Sequence, residues 1–305
     1  MLGVQAMMED GGRDDMRSDS PKMREAAACA PASPEPIEGF GRFGHVPLQG
    51  VINCRDLGGM PAADGRRIRK RRLLRSADLH DATAEDMKQL VRMHDLEYVV
   101  DLRADYEVES APDPIPLMTG IEYVHLPALS DDAIGFSGLK NIVNDVRMLS
   151  RFSKDPVETI EELYYKCVLG EYGMRAYGRF LNDLLTSEEG GSLWHCTQGK
   201  DRTGIAAMLV EYSLGVPMDY IRRDYLATNL FIKPWVDKMN SLMRNKVLVG
   251  GLGVDLEAYT YANMCYFDKA MDTIADSYGT LDNYLTRALD FEPDKRVKLQ
   301  ELYLE

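Results

Sequence analysis

Apolar positions follow two periods along this chain, one close to two residues and one close to 3.6. Short apolar runs bounded by turn residues predict strands at 73–76, 96–103 and 121–126, and in the lead-in Ser192-Leu193-Trp194. Residues 51–59 read as a further strand running into a glycine turn. Helical spacing predicts a helix from Thr83, where Asp86 completes a capping box and Met87, Leu90, Val91 and His94 continue one face. Further helices are predicted at 157–167 and 175–185. Another follows the Ser192 strand, where Ile205, Met208, Leu209 and Tyr212 recur, and ends near Gly215. Residues 218–226 and 231–243 predict two separate helices. The remainder from 256 to 304 reads as helix almost throughout, in pieces at 266–278, 281–289 and 293–304.

Strands separated by helices, then a helical half, predict an α/β fold. Its centre is a mostly parallel sheet flanked by helices, with a helical C-terminal part at 231–305. Residues 1–36 are rich in Asp, Glu, Ser, Pro, Ala and Gly and poor in aromatic residues, so a mobile tail is expected there. Residues 37–305 form a single domain on this reading. Weak periodicity after Ala128, broken by Gly135 and Gly138, marks 128–170 as an insertion or lid. The break at Gly250-Gly251 reads as a loop, because no strand precedes it as a dinucleotide fingerprint requires.

Composition narrows the function classes. The formal net charge of -13 argues against a general binder of nucleic acid or of anionic membranes. No apolar run approaches the roughly 18 residues of a membrane span, so no stable membrane insertion is expected. The N-terminus has no basic region followed by an apolar core. A signal peptide is therefore not expected and the cytoplasm is, with signal-independent secretion left open. The five cysteines are Cys29, Cys54, Cys167, Cys196 and Cys265; their number is odd and no C-x-x-C pair exists. That fits neither a disulfide framework nor a zinc site, so a reducing compartment is expected, with most of these cysteines serving as small apolar residues; no metal and no cofactor are expected. The basic cluster from Arg66 to Arg72 reads as a solvated hairpin edge. His94 is expected partly buried and His125 exposed.

One stretch carries chemistry: His195-Cys196-Thr197-Gln198-Gly199-Lys200-Asp201-Arg202-Thr203-Gly204. It lies at a predicted strand-to-helix turn, where a tight loop's N–H groups and a helix N-terminus favour an anion. A helix N-terminus and a nearby cation also favour a thiolate, which makes Cys196 a candidate nucleophile. The Arg202 fork and the loop from Thr197 to Arg202 suit phosphoryl oxygens as charge shifts in the transition state. A leaving alkoxide or phenoxide needs a proton, which a carboxylic acid supplies. The Thr203 hydroxyl is placed to bond the Cys196 sulfur, and Gly199 and Gly204 permit tight turning and close packing.

Cys196-x5-Arg202-Thr203 resembles the signature of the cysteine-based protein tyrosine phosphatase superfamily. The fuller stretch, with Lys200 and Asp201 before Arg202, is similar to its bacterial and fungal tyrosine-serine, dual-specificity branch. Asn53-Cys54-Arg55-Asp56-Leu57-Gly58-Gly59, Leu74-Arg75-Ser76-Ala77, Asp101-Leu102-Arg103 with Glu107, Leu214-Gly215-Val216 and Asp224-Tyr225 fit the same likeness over about residues 40–230. The resemblance implies a tyrosine phosphatase-like α/β fold and a metal-independent phosphomonoesterase working through a phosphocysteine. It implies Cys196 as nucleophile, Arg202 as phosphate ligand, and Asp201 as general acid with Asp101 as rival. His195, Thr203, Asp101, Arg55 and Asp56 are its supporting residues. The implied partner is a phosphorylated protein, phosphotyrosine first, with phosphoserine, phosphothreonine or a phosphoinositide also open. Lys200 favours a multiply charged headgroup, whereas Thr197 stands where phosphoinositide 3-phosphatases carry a second lysine. Rhodanese-type sulfur transfer and an inactive phosphate-binding module are the alternatives. Cys54 is a candidate disulfide partner of Cys196 under oxidation.

Overall fold

The computed structural model describes residues 32–115, 120–134, 155–187, 189–244 and 260–305. Its sheet consists of β1 (Arg55–Asp56), β2 (Leu73–Ser76), β3 (Leu96–Asp101), β4 (Glu122–His125) and β5 (Gly191–His195). The order is β1-β2-β5-β3-β4. Only β1 and β2 run antiparallel; β5 pairs in parallel with β2 and β3, and β3 with β4. Parallel strands are covered on both faces, and β2, β3 and β5 are buried at every position but Glu97. All of β5 is buried at the centre of the sheet.

Side chains alternate across the pleat and feed two cores. Leu74, Val99 and Leu193 join Met87 and Leu90 of helix α1 (Ala84–His94) on one face. Leu73, Val100 and Trp194 join the larger core on the other. The expected capping box starts α1. Thr83 Oγ1 accepts the Asp86 N–H at 3.1 Å, and the Asp86 carboxylate accepts the Thr83 N–H at 2.9 Å. Asp86 also receives the Gln49 and Gly50 N–H groups at 2.6 and 2.8 Å, which ties α1 to the segment before β1.

The remaining helices are α2 (Asp105–Ser110), α3 (Asp131–Ile134), α4 (Pro156–Leu169), α5 (Glu171–Leu184), α6 (Asp201–Ser213), α7 (Met218–Arg244), α8 (Met264–Tyr278), α9 (Leu281–Leu289) and α10 (Pro293–Tyr303). Helices α4 to α10 all send side chains into the larger core. Helix α6 is buried almost all round, as expected of the central helix in such a stack. Among the described residues, no helix is long and apolar enough to cross a membrane.

Several expectations need correcting. The helices expected at 218–226 and 231–243 are the single helix α7. Residues 227–230 hold no glycine or proline, so nothing stops the helix there. Thr228 and Asn229 are instead turned inward: Thr228 Oγ1 accepts from Arg55, and the Asn229 amide pairs with the Ala262 N–H and C=O at 2.7 and 2.9 Å. Within the insertion expected at 128–170, α4 buries Ile160, Tyr164 and Cys167 in the core; residues 135–154 lie outside the described residues. The same holds for 1–31 of the expected tail and for the Gly250-Gly251 loop. Residues 32–36 are held by α7, since Ala32 and Pro36 carbonyls accept from Asn229 and Arg223. Cys54, Cys167 and Cys196 are free thiols, whereas Cys265 is disulfide-bonded, which the expected reducing compartment does not account for. Linear spacing carries no information on which cysteines meet in space.

Candidate active site

The loop Cys196–Lys200 joins the end of β5 to the start of α6. This is the carboxyl edge of the sheet's central strand, where ligands bind in parallel α/β folds. Three loop carbonyls are held from outside. Thr197 O accepts the Asp78 N–H at 3.3 Å, Gln198 O accepts Asn53 Nδ2 at 3.3 Å, and Gly199 O accepts Asn53 Nδ2 and Arg75 at 2.9 Å each. In a planar trans peptide the N–H points opposite to the C=O. The N–H groups of Gln198, Gly199 and Lys200 are therefore turned away from these anchors, as a concave anion-binding nest requires. Gly199 has φ +65°, and a Cβ there would meet the Ser76 carbonyl oxygen at 2.4 Å.

The Cys196 thiol is buried at the start of this loop, and the Arg202 guanidinium lies in the first turn of α6. Arg202 is gripped by Glu107 of α2. Nη1 donates to Oε2 and Nη2 donates to Oε1 at 2.9 Å, while Thr197 Oγ1 donates to Oε1 at 2.5 Å. Burial pushes the Glu107 carboxyl up, but the Arg202 charge and hydrogen bonds outweigh it and bring it down to about 2. Burial works against the Arg202 charge too, and Glu107 reverses that effect, with Cys196 close enough to contribute. A guanidinium has five N–H donors. Glu107 takes two of them and Thr197 Oγ1 a longer third at 3.4 Å. Among the described residues, that leaves two donors for a phosphoryl group.

Behind the loop lies a buried ion cluster. Arg103 donates to both Asp101 oxygens and lies 3.0 Å from Asp113, and Tyr123 donates to Asp101 at 2.7 Å. His195 Nε2 is 3.1 Å from Asp113 Oδ2, and Nδ1 is 3.8 Å from Asp101 Oδ1. Burial opposes the imidazolium, yet the Asp101 charge and the contact with Asp113 raise His195 to about 9. Burial raises Asp101 as well, but His195 and Arg103 hold it below the ordinary carboxylate range. Oxygen and nitrogen atoms of Asp101, Asp113 and His195 lie within 4.8 Å of one another, a metal-like spacing. The Arg103 guanidinium already sits on both carboxylates where a cation would go.

Asp201 opens α6 with its carboxyl one-third exposed. Its Oδ1 accepts the Tyr164 hydroxyl at 2.6 Å, and its Oδ2 is 3.5 Å from the Lys200 ammonium. Lys200 is itself only 1% exposed, as deeply buried as Cys196. Arg55 is buried and reaches the loop through Asn53, whose Oδ1 accepts its Nε at 3.3 Å. The contact expected between Thr203 and Cys196 is absent among the described residues. Thr203 Oγ1 is buried without a hydrogen-bond partner and so does not bond the Cys196 sulfur; one residue beyond Arg202, the helix has turned by about 100°. Asp56 stands apart, accepting the Gly58 and Arg71 N–H groups at 2.8 Å and organising that turn. Cys54 and Cys196 are both free thiols packed in different cores, and burial pushes the Cys54 thiol far up.

Sequence reasoning gave no role to Glu107, Asn53, Arg75, Asp113, Tyr164 or Asp224. Glu107, Asn53, Arg75 and Asp224 stood in the motif fragments, where their types were visible and their targets were not. Asp113 and Tyr164 left no signal.

Comparison with known proteins identifies the family. Residues 46–305 match the model of the tyrosine phosphatase family. The chain is 31% identical over 273 residues to a Cupriavidus necator protein that bears the name of a tyrosine-protein phosphatase, covering 88% of this chain and 92% of that one. It is 26% identical over 263 residues to the triple specificity protein phosphatase PtpB of Mycobacterium tuberculosis, covering 79% and 92%.

Proposed function

The chain belongs to the tyrosine phosphatase family, and from that premise we propose that it hydrolyses phosphomonoesters, phosphotyrosine first, through a phosphocysteine on Cys196. The observation that carries this reading is one loop holding a buried thiol, outward-anchored carbonyls and the Glu107-gripped Arg202. Cys196 Sγ attacks phosphorus, the P–S bond forms and the P–O bond to the leaving group breaks. Asp201 gives its proton to the departing oxygen. The loop N–H groups and the two remaining Arg202 donors hold the equatorial oxygens as negative charge shifts among them. Water then attacks phosphorus and gives its proton to the Asp201 carboxylate, the P–S bond breaks, and inorganic phosphate leaves. Glu107 orients Arg202 rather than blocking it, since it takes only part of the donor set.

Asp201 is preferred to Asp101 as the acid. Asp101 is fully buried and locked as an anion by Arg103 and His195, so it has neither a proton to give nor access to substrate. The second relative's name, a triple specificity phosphatase, supports testing phosphoseryl, phosphothreonyl and phosphoinositide substrates beside phosphotyrosine. The reading of 37–305 as one catalytic domain is consistent with a match that runs to residue 305. Cys196→Ser should lower hydrolysis of p-nitrophenyl phosphate by about 10⁴-fold or more while vanadate still binds. Full activity in that variant ends the nucleophile assignment.

A further inference from the structure

We propose that Tyr164, braced by Tyr225, is the positioning residue that fixes which oxygen of Asp201 carries the transferable proton. The inference rests on Asp201 being the general acid.

Tyr164 lies on α4 and Tyr225 on α7, 1% and 2% exposed respectively. The Tyr164 hydroxyl donates to Asp201 Oδ1 at 2.6 Å and lies 2.6 Å from the Tyr225 hydroxyl. A phenol has one proton. Given to Asp201, it leaves the Tyr164 oxygen as acceptor, so the Tyr225 proton points to Tyr164. The chain of donors runs Tyr225 to Tyr164 to Asp201. Burial first, then the nearby Asp201 charge, pushes both phenols well above their ordinary range, so both stay protonated at any working pH. Asp201 Oδ1 is thereby held as an acceptor. Oδ2 has only the longer contact, 3.5 Å to the Lys200 ammonium, among the described residues, so the acid's proton belongs on Oδ2. Once that proton has gone to the leaving group, the same Tyr164 O–H stabilises the carboxylate left behind.

The packing makes this bracing rigid. The Tyr164 ring lies 5.8 Å from that of Tyr266, and the Tyr225 ring 5.3 Å from that of Phe267. A Cβ at position 204 would meet the Tyr225 ring at 3.1 Å. Gly204 in the first turn of α6 therefore lets Tyr225 approach closely enough to reach Tyr164.

The test measures kcat and KM of Tyr164→Phe, Tyr225→Phe and Asp201→Asn on aryl phosphates of graded leaving-group strength, with vanadate inhibition alongside. Both Tyr→Phe variants keep the ring contacts. Tyr164→Phe should lower kcat on phenyl phosphate by about tenfold and on dinitrophenyl phosphate by much less. KM and vanadate inhibition should move by less than about twofold. Tyr225→Phe should shift the leaving-group dependence in the same direction by a smaller amount, and Asp201→Asn by a larger one. If Asp201→Asn steepens the dependence and Tyr164→Phe does not, the inference falls and the acid assignment stands. If none of the three steepens it, both fall. A Tyr164→Phe variant that slows all esters equally and binds vanadate poorly has lost loop structure, which also overturns the positioning role.

Discussion

The His195 imidazole is completely buried, facing Asp101 and Asp113 directly, with Arg103 and Asp78 completing the charged surroundings. Its neighbours set its charge. Two carboxylates outweigh both burial and Arg103, and it stays protonated until about pH 9. The unfolded chain would release that proton near pH 6.5. The imidazolium's contribution to stability is therefore complete below about pH 6.5 and is lost as pH rises through about 9, an effect of about 3 kcal/mol. Urea unfolding between pH 6 and 9 should show this decline, and His195→Asn should flatten it while lowering stability overall. Burial also pushes the Cys54 and Cys167 thiols up, Cys167 to about 12. Their losses begin only near the ordinary cysteine range of about 8.5; Glu211, pushed well above its ordinary value by burial, adds a decline of the same sign at lower pH, so the difference in slope between parent and variant below about 8.5 is what reports His195. An unchanged slope in the variant would place the proton release elsewhere.

At the scale of the element, the loop and α6 depend on one backbone conformation. Gly199 sits at φ +65° with the Ser76 carbonyl and the Ala77 nitrogen where a side chain would begin. Gly199→Ala adds left-handed strain and a backbone clash, costing about 2–4 kcal/mol. It also displaces the carbonyl that Asn53 and Arg75 hold. We expect kcat/KM to fall about 100-fold from the misplaced nest, measured on protein that remains folded. Gly215 is the control. Its φ is +78°, but nothing lies within 4 Å of its Cβ position. Gly215→Ala should cost about 1 kcal/mol and leave kcat within about twofold. Equal kinetic losses in the two variants would remove the special role of the Gly199 carbonyl.

Across the whole molecule, one buried cluster joins the phosphate loop to the helical half. Arg55 of β1 and Arg75 of β2 share the Asp224 carboxylate of α7, Arg75 at 2.7 Å, and Arg75 reaches on to Gly199. Burial brings Arg55 down to about 10 despite Asp224, and pushes Glu211 of α6 well above its ordinary value, so Glu211 is held as the neutral acid. Asp224 is then the one carboxylate between two buried guanidinium groups. Asp224→Asn should destabilise the protein by about 3–5 kcal/mol, seen as a lower urea midpoint. It should also weaken phosphate binding, since Arg75 loses its anchor. A variant with parent-like stability would mean that carbonyl oxygens alone balance these arginines.

The chain's local chemistry was enough for much of this. Strand periodicity placed β2, β3, β4 and β5, the capping box began α1, and Cys196, Asp201 and Arg202 stood within one seven-residue stretch. These features are set by neighbours in sequence, where pleat, helix turn and loop geometry act. The partners that aim them come from far away. Glu107 grips Arg202, Asn53 and Arg75 hold Gly199, and Tyr164 holds Asp201. A carboxylate or a phenol is equally at home on a solvated surface, and only the packing of β2, α2, α4 and α7 around one strand end decides that these face the loop. The same packing left the Thr203 hydroxyl buried without a partner, gave Asp56 to the turn at Gly58, and joined two predicted helices into α7. Sequence determined which groups can react and where the loop lies; tertiary structure decided which of them are buried, charged and aimed, because burial and charge pairing depend on distances that the linear order does not contain.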